Sequence, residues 1–290
     1  MNPIFKFAKQ FIWNQFLKNG FQNLEFKKDD LIVDYWDNNK NGDIIFLLHG
    51  FGVQTEFQWY KQIETLSKKN RVIIPNLLYF GKTTQHEKYQ LQDQVNLVKS
   101  IAKSLNLQKF DLIGLSYGGL IAIEFCNQNI DIVKKLILVD SPIKYFNNKD
   151  LKKIYQIYRL ENIEELFAAR DFRGLKKQFK AAYHFKHLIP NFVYKIFYNN
   201  LCLPNIENWE RLILELKLEL DIYAKKEYSF EHPTLLIWGE HDDIVPSRIG
   251  SQLNNHLKNS RLEIIKRSKH LPNLEQSKKF NKLIIEFLQN

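Results

Sequence analysis

The sequence predicts an α/β fold, with a mostly parallel sheet, helices on both faces and an inserted helical cap. Three observations carry this prediction. Short apolar runs of strand length at 44–48, 71–75, 110–113, 135–139, 234–237 and 262–265 alternate with segments of helical spacing, as βα units do. The alternation stops between Pro142 and Glu231, where a long, mainly helical stretch intervenes. A chain of 290 residues with 44% hydrophobic content can bury one large core and still have length for an insertion. The expected organisation is an amphipathic helix over 1–20, a sheet core from 21–142 and 232–290, and a helical cap over 143–231.

Within residues 1–20, Ile4, Phe5, Ala8, Phe11, Ile12 and Phe16 fall on one helical stripe. Lys6, Lys9, Asn14 and Lys18 lie largely off it, and no acidic residue occurs. This is a basic amphipathic helix whose apolar face meets either a lipid interface or the protein's own surface. Its lysines interrupt the apolar run too early for a secretory signal. Nowhere do 18 apolar residues run together, so no transmembrane span is expected.

Two strand-like runs at 21–26 and 31–36 flank a turn at 27–30 and read as a hairpin on the antiparallel edge of the sheet. The run 44–48 is the first central strand and ends in His49-Gly50-Phe51-Gly52. A helix over 59–69 and a strand over 71–75 follow. Leu91, Val95, Val98, Ala102 and Leu105 then space out a helix over 91–105. The run 110–113 breaks at Gly114, and apolar residues return at helical spacing after Gly119, giving a strand, a tight turn and a helix. Strand 135–139 ends at Asp140. After the cap, strand 234–238 leads to Asp242, and a helix from Pro246 to about 257 carries His256 on its surface. Strand 262–265, a loop with His270 and a closing helix over 272–288 complete the chain.

Ser116 sits at the tight turn in Gly114-Leu115-Ser116-Tyr117-Gly118, a Gly-x-Ser-x-Gly pattern. Such a turn strains its central residue and packs the flanking chain closely, so side-chain-free residues bracket the serine. The geometry lifts a hydroxyl clear of the sheet over the positive end of a helix dipole, which suits a nucleophile.

With three further motifs in place, the chain is identified as a member of the α/β-hydrolase family. His49-Gly50-Phe51-Gly52 resembles the family's oxyanion-hole turn, in which the backbone amides of Phe51 and Tyr117 would meet the oxyanion and His49 would be structural. Trp238-Gly239-Glu240-His241-Asp242-Asp243-Ile244-Val245-Pro246 resembles its acid loop, and Ser268-Lys269-His270-Leu271-Pro272-Asn273-Leu274-Glu275 the loop that delivers the histidine. The order Ser, Asp, His is that of the fold. The resemblance runs from about Leu31 to the C-terminus and is weakest in the middle third. It implies a catalytic triad of Ser116, Asp242 and His270. Asp140, at the end of strand 135–139, is the rival acid because some lipases of the family take theirs there; Asp243 reads as a solvated or capping side chain. Seven of the 11 glycines (Gly50, Gly52, Gly81, Gly114, Gly118, Gly119 and Gly239) fall in the motif turns.

The segment 76–83 departs from the family's Asp-x-x-Gly-x-Gly-x-Ser and keeps only Gly81 cleanly, which puts aromatic Tyr79 and Phe80 where they could border the pocket. A serine rather than an aspartate at the elbow disfavours the dehalogenase and epoxide-hydrolase branches. The expected activity is hydrolysis of carboxylic esters, esterase- or lipase-like, on an apolar acyl group. The same triad serves carbon–carbon bond hydrolysis of diketones, thioester hydrolysis and acyl transfer. A non-catalytic binding protein of the same fold is the alternative of another class.

The net charge of +10 admits a nucleic-acid partner, but no zinc spacing or aromatic ribonucleoprotein motif accompanies it, so none is expected. An acidic substrate or an anionic membrane surface suits the charge as well. Arg170, Arg173, Lys176, Lys177, Lys180 and Lys186 form a basic run relieved only by Asp171. It reads as a solvated helix face that could join residues 1–20 in one membrane-facing surface. The cap is richer in aromatics than its length predicts, which suits its own small core and an apolar substrate channel. His184 and His187 have no acidic or cysteine partners at ligand spacing, so neither a metal nor another cofactor is expected. Two cysteines, Cys126 and Cys202, cannot make a disulfide framework; they read as reduced thiols and suit a cytoplasmic address, with membrane association through residues 1–20 as an option.

Overall fold

In the computed structural model, which describes residues 1–85, 87–185 and 189–289, the expected alternation becomes one eight-stranded sheet. Its strands are β1 (Gln22–Lys28), β2 (Leu31–Asp37), β3 (Ile44–Leu48), β4 (Arg71–Pro75), β5 (Phe110–Leu115), β6 (Val133–Val139), β7 (Thr234–Gly239) and β8 (Ser260–Ile265). They lie in the order β1-β2-β4-β3-β5-β6-β7-β8. The hairpin β1–β2 pairs antiparallel to itself and to β4, while every other pairing is parallel. Buried on both faces, the central strands carry apolar side chains at most positions rather than at alternate ones. Phe46 and Leu48 of β3 enter one core, and Ile45 and Leu47 the other.

Helices cover both faces. On one side lie α1 (Pro3–Lys18), the short α2 (Thr55–Trp59) and α3 (Ile63–Leu66), and at the far end of the chain a terminal helix over 277–289; on the other lie α4 (Leu91–Ser104) and α5 (Tyr117–Gln128). Between β6 and β7 the chain inserts α6 (Asn148–Tyr158), α7 (Glu164–Phe167), α8 (Phe172–Ala182), α9 (Asn191–Phe197) and α10 (Ile206–Lys225). After β7 come α11 (Ser247–His256), α12 (Pro272–Glu275) and the terminal helix α13 (Ser277–Gln289). The insertion's two ends are tied together: Lys144 Nζ donates to the Lys226 carbonyl at 3.0 Å, and Tyr145 N to Ala224 O at 3.0 Å. Lys226 and Tyr228 both reach the buried Glu124 on α5.

Several elements differ from expectation. The single helix expected over 59–69 is two, because Gln62 is drawn inward and its amide donates to Asn273 O at 2.8 Å and Asn281 Oδ1 at 2.9 Å. The closing helix likewise breaks at Gln276 into α12 and α13. His256 is not a surface residue: the chain returning after α10 covers it, and its Nε2 accepts from Tyr228 N at 3.2 Å. Tyr79 and Phe80 are buried behind the pocket wall, where Phe80 stacks on Trp209 at 5.3 Å.

Of the helix expected over 1–20, Pro3–Lys18 is helical, and it carries two apolar faces. Phe5, Ile12, Trp13 and Phe16 turn inward; Phe16 packs at 5.4 Å from Phe21 and 4.6 Å from Trp36. Ile4, Phe7 and Phe11 stand exposed on another face. In the basic run, Arg170 pairs with Glu210 at 2.7 Å and Lys177 with Glu165 at 3.5 Å, while Asp171 caps α8; Lys186 and His187 lie outside the described residues. Among the described residues, no helix is long and apolar enough to cross a membrane. Cys126 and Cys202 are free, buried thiols, pushed up to about 12 by burial.

Candidate active site

The site is assembled where β3, β5, β7 and β8 end. At the end of β5 the backbone turns so sharply that Ser116 takes φ 52° and ψ −119°, a left-handed conformation that costs a non-glycine residue about 1–3 kcal/mol. Ser116 N holds the turn by donating to Val139 O at 2.8 Å, and the Ser116 carbonyl starts α5 by accepting from Gly119 N at 2.9 Å. The turn needs Gly118, since a Cβ there would stand 2.5 Å from the carbonyl oxygens of Leu48 and His49. Ser116 Oγ is thereby presented at the first turn of α5, on the positive end of its dipole.

Two loops bring partners to it. His270 Nε2 lies 2.8 Å from Ser116 Oγ, and His270 Nδ1 lies 2.7 Å from Asp242 Oδ2. With the carboxylate accepting at Nδ1, the neutral imidazole carries its proton there and offers Nε2 as an acceptor to the serine hydroxyl. Asp242 is itself fixed, because its Oδ1 accepts from Ile244 N at 2.8 Å and Val245 N at 3.0 Å. The two loops lock through His241 N, which donates to Ser268 O at 2.9 Å.

Asp140 does not reach His270. Its Oδ1 accepts from Gly239 N at 2.8 Å, and the carboxyl faces that of Asp242. Complete burial and the neighbouring Asp242 carboxylate push its carboxyl well above the usual range, so it stands neutral beside the charged acid. Asp243 is neither capping nor merely solvated. Its Oδ2 accepts from Lys269 Nζ at 2.6 Å and from Tyr158 OH at 2.8 Å, which ties both loops to α6 of the insertion.

His49 is fully buried, and burial lowers it to about 4, so it is neutral. Its Nδ1 donates to Gly50 O at 2.6 Å and its Nε2 accepts from Leu77 N at 3.0 Å, which fixes the turn before Phe51. Among the described residues, neither the Phe51 nor the Tyr117 amide has an acceptor in the chain. The Phe51 ring packs 5.7 Å from that of Tyr117, edge to face.

Above Ser116 lies a cavity of about 280 Å³, walled by Phe167, Leu175, Phe179, Val193 and Phe197 of the insertion and by Ile12 of α1. It also touches His270, Gly50 and Phe51. A second, smaller apolar cavity of about 70 Å³ meets Ser116 from the other side, under Phe146, Leu151 and Ile213. Phe51, Phe167 and Ile244 border both. Among the described residues, the first cavity's lining holds no lysine, arginine, aspartate or glutamate.

The sequence reading did not find Ile12 as a wall residue, nor the ties made by Tyr158 and Glu275. Glu275 Oε2 accepts from Lys269 N at 2.9 Å and its Oε1 from His184 N at 2.7 Å, so it joins the histidine loop to the segment after α8. Its place three residues after Pro272 was legible, but its partner on the insertion was not.

A strained serine at a strand–helix turn, a buried Ser–His–Asp chain and a mostly parallel sheet define an α/β hydrolase. The family model described as the alpha/beta hydrolase fold matches residues 43–277, and the chain belongs to that family. It is 24% identical over 274 residues to epoxide hydrolase 3 of Xenopus tropicalis, covering 87% of this chain and 72% of that protein. It is 24% identical over 266 residues to a 2-hydroxy-6-oxononadienedioate/2-hydroxy-6-oxononatrienedioate hydrolase of Cupriavidus pinatubonensis, covering 88% of this chain and 89% of that one. Among solved structures, a protein designated a lipase from Acinetobacter baumannii AYE superposes with a TM-score of 0.86 at 22% identity, covering 97% of this chain and 95% of its own.

Proposed function

We propose that this hydrolase cleaves carboxylic esters bearing an apolar acyl group, through an acyl-enzyme on Ser116. The observation that carries the reading is the hydrogen-bonded chain from Ser116 Oγ through His270 to Asp242, opening into a cavity whose described lining is mostly apolar. Ser116 Oγ attacks the ester carbonyl carbon as its proton passes to His270 Nε2. Asp242, bonded at Nδ1, stabilises the resulting imidazolium. The Phe51 and Tyr117 amides receive the oxyanion. Collapse of the tetrahedral intermediate expels the alcohol, which takes the proton from His270. Water then attacks the acyl-enzyme, again giving a proton to His270, and the carboxylic acid leaves as Ser116 recovers its own.

Carbon–carbon bond hydrolysis is the second reading, favoured by the Cupriavidus relative, whose named substrates are dicarboxylates. Among the described residues the larger cavity's lining is uncharged, so a carboxylate buried there would lose its hydration with no cation to replace it, and Lys217 on the lining of the smaller cavity is the cation such a substrate would need to reach. Labelling by a fluorophosphonate probe at Ser116, followed by a panel of esters of rising acyl length and one meta-cleavage diketone, tests the reading. Turnover rising with acyl length supports it. Preference for the charged diketone selects the second reading, and an unlabelled Ser116 in folded protein points to a binding protein.

A further inference from the structure

α1 has a second apolar face that the fold does not use. Ile4, Phe7 and Phe11 recur at i, i+3 and i+7, one side of a helix, and are 47%, 77% and 54% exposed. The inward side is fully engaged. Phe5 packs at 5.3 Å from Phe197 of α9 and 6.1 Å from Phe57, and Trp13 Nε1 donates to Glu56 Oε1 at 3.2 Å. The cluster Phe7–Phe11 therefore cannot be the residue of a helix that merely packs poorly.

Charge says what would cover this face. α1 contains Lys6, Lys9 and Lys18 and no acid. Lys9 is spent inward, 3.8 Å from Glu56, whereas Lys6 and Lys18 are exposed. Exposed aromatics flanked by unopposed lysines match an anionic bilayer, where rings enter the interface and ammonium groups stay among the headgroups. Another protein surface would have to supply both an apolar groove and matching acids.

Position links this face to the chemistry. Ile12, on the inner side of the same helix, walls the Ser116 cavity together with Val193 and Phe197 of α9. We infer that the Ile4–Phe7–Phe11 face of α1 seats the enzyme on an anionic membrane, placing the wall of the acyl cavity against the lipid from which an acyl chain is drawn. Seating is independent of the triad; the origin of the substrate rests on the ester reading above.

The test uses the full chain, since truncation before Phe21 would strip Phe16 from the core. The parent, Phe7→Ser/Phe11→Ser and Ser116→Ala are co-sedimented with vesicles of phosphatidylcholine alone or mixed with phosphatidylglycerol. Expected is binding of the parent and Ser116→Ala to the anionic vesicles at low salt, weakened by salt that screens the lysines. The double variant should bind at least about tenfold more weakly, since two rings lose their apolar burial. It should also turn over a short water-soluble ester at the parental rate and an ester presented in anionic vesicles more slowly. Parental binding by the double variant overturns the assignment, as does equal binding to neutral vesicles. Concentration-dependent dimerisation of the parent that Phe7→Ser/Phe11→Ser abolishes, without vesicle binding, would instead assign the face to a second copy. Failure of all ester turnover with vesicle binding intact would sink the ester reading and leave the docking surface standing.

Discussion

The two sides of the candidate active site are held by different forces. On the sheet side, Ser116, His270, Asp242 and the Phe51 turn are each fixed by directional hydrogen bonds to backbone or to one another, at 2.6–3.0 Å. On the insertion side, the wall of Phe167, Leu175, Phe179, Val193 and Phe197 is shaped by packing, with Tyr158, Lys180, His184 and Phe185 among its polar ties to the catalytic loops. Directional contacts fix positions to a fraction of an ångström and fail when one atom changes. Apolar packing fixes volume and accepts exchange of like for like. Reaction chemistry is therefore expected to be brittle to substitution, and substrate choice graded.

The largest effects should fall on the sheet side. Ser116→Ala is expected to lower ester turnover by about 10⁶-fold with the fold intact, because members of such a chain act as a unit. Turnover within tenfold of the parent would remove the serine from the mechanism. Asp242→Asn should cost about 10⁴-fold in kcat, since the amide oxygen stays with the Ile244 and Val245 N–H groups and the NH2 left facing His270 Nδ1 donates rather than accepts, which holds the imidazole in the wrong tautomer. Asp140→Asn should stay within about tenfold, because the native carboxyl is already neutral and bonds to Gly239 N rather than to His270. Steady-state kinetics of both variants separate the two acids; a collapse in Asp140→Asn alone would exchange their roles.

His49 sharpens the same contrast through pH. In the unfolded chain it titrates near 6.5, and in the fold near 4, so between these values the unfolded state holds a proton that the folded state lacks. Stability thus falls as pH drops from about 6.5 to 4, by roughly 3 kcal/mol from this one group. Urea unfolding of the parent and of His49→Gln across this range should show a shallower pH slope in the variant. Parallel slopes would mean that His49 is charged or solvated in the fold.

The same division governs what could be read from sequence. Ser116, Asp242 and His270 stood out because each sits in a turn whose backbone demands particular neighbours, such as Gly118 against the Leu48 and His49 carbonyls. The central strands were legible too, since burial on both faces leaves a nearly continuous apolar run, as in Ile44–Leu48. Gln62 was not: nothing local says that its amide will leave the helix pattern to meet Asn273 and Asn281, more than two hundred positions away. Ile12 looked like any residue of an amphipathic stripe, and only tertiary packing made it a cavity wall. His256 looked exposed because the segment that covers it arrives from outside its helix.

On the insertion side, effects should be graded. Val193 lines the larger cavity and is only half-buried, so Val193→Trp can enter without rebuilding the core. It should lower kcat/KM for long acyl esters by about 10–100-fold, the value of a few methylenes denied an apolar site, and leave acetate esters within about twofold. An equal loss across chain lengths would place the acyl chain elsewhere, in the smaller cavity beneath Phe146.

The smallest effect tests whether the insertion is seated by packing alone. Lys269 and Asp243 each neighbour a triad residue, and Tyr158 meets them from α6, with Lys269 Nζ also 3.2 Å from Lys180 O. Burial and Asp243 hold the Tyr158 phenol well above its usual range, so it remains a donor. The side chains of Lys269 and Asp243 are 17% and 34% exposed, and solvent screens the pair. Tyr158→Phe keeps the ring but removes both bonds of the hydroxyl, the one it donates to Asp243 and the one it accepts from Lys269 Nζ at 3.2 Å, and should cost about 1–2 kcal/mol in urea unfolding. Lys269→Met leaves Asp243 a route to water, and should cost about 1 kcal/mol or less. Because both act on Asp243, the double variant should lose less than the sum, by a few tenths of a kcal/mol or more. Strict additivity would mean that the ties are independent. If neither single variant lost stability, the insertion would be held over Ser116 by its apolar wall, and the polar triangle would serve only to space the acid and histidine loops.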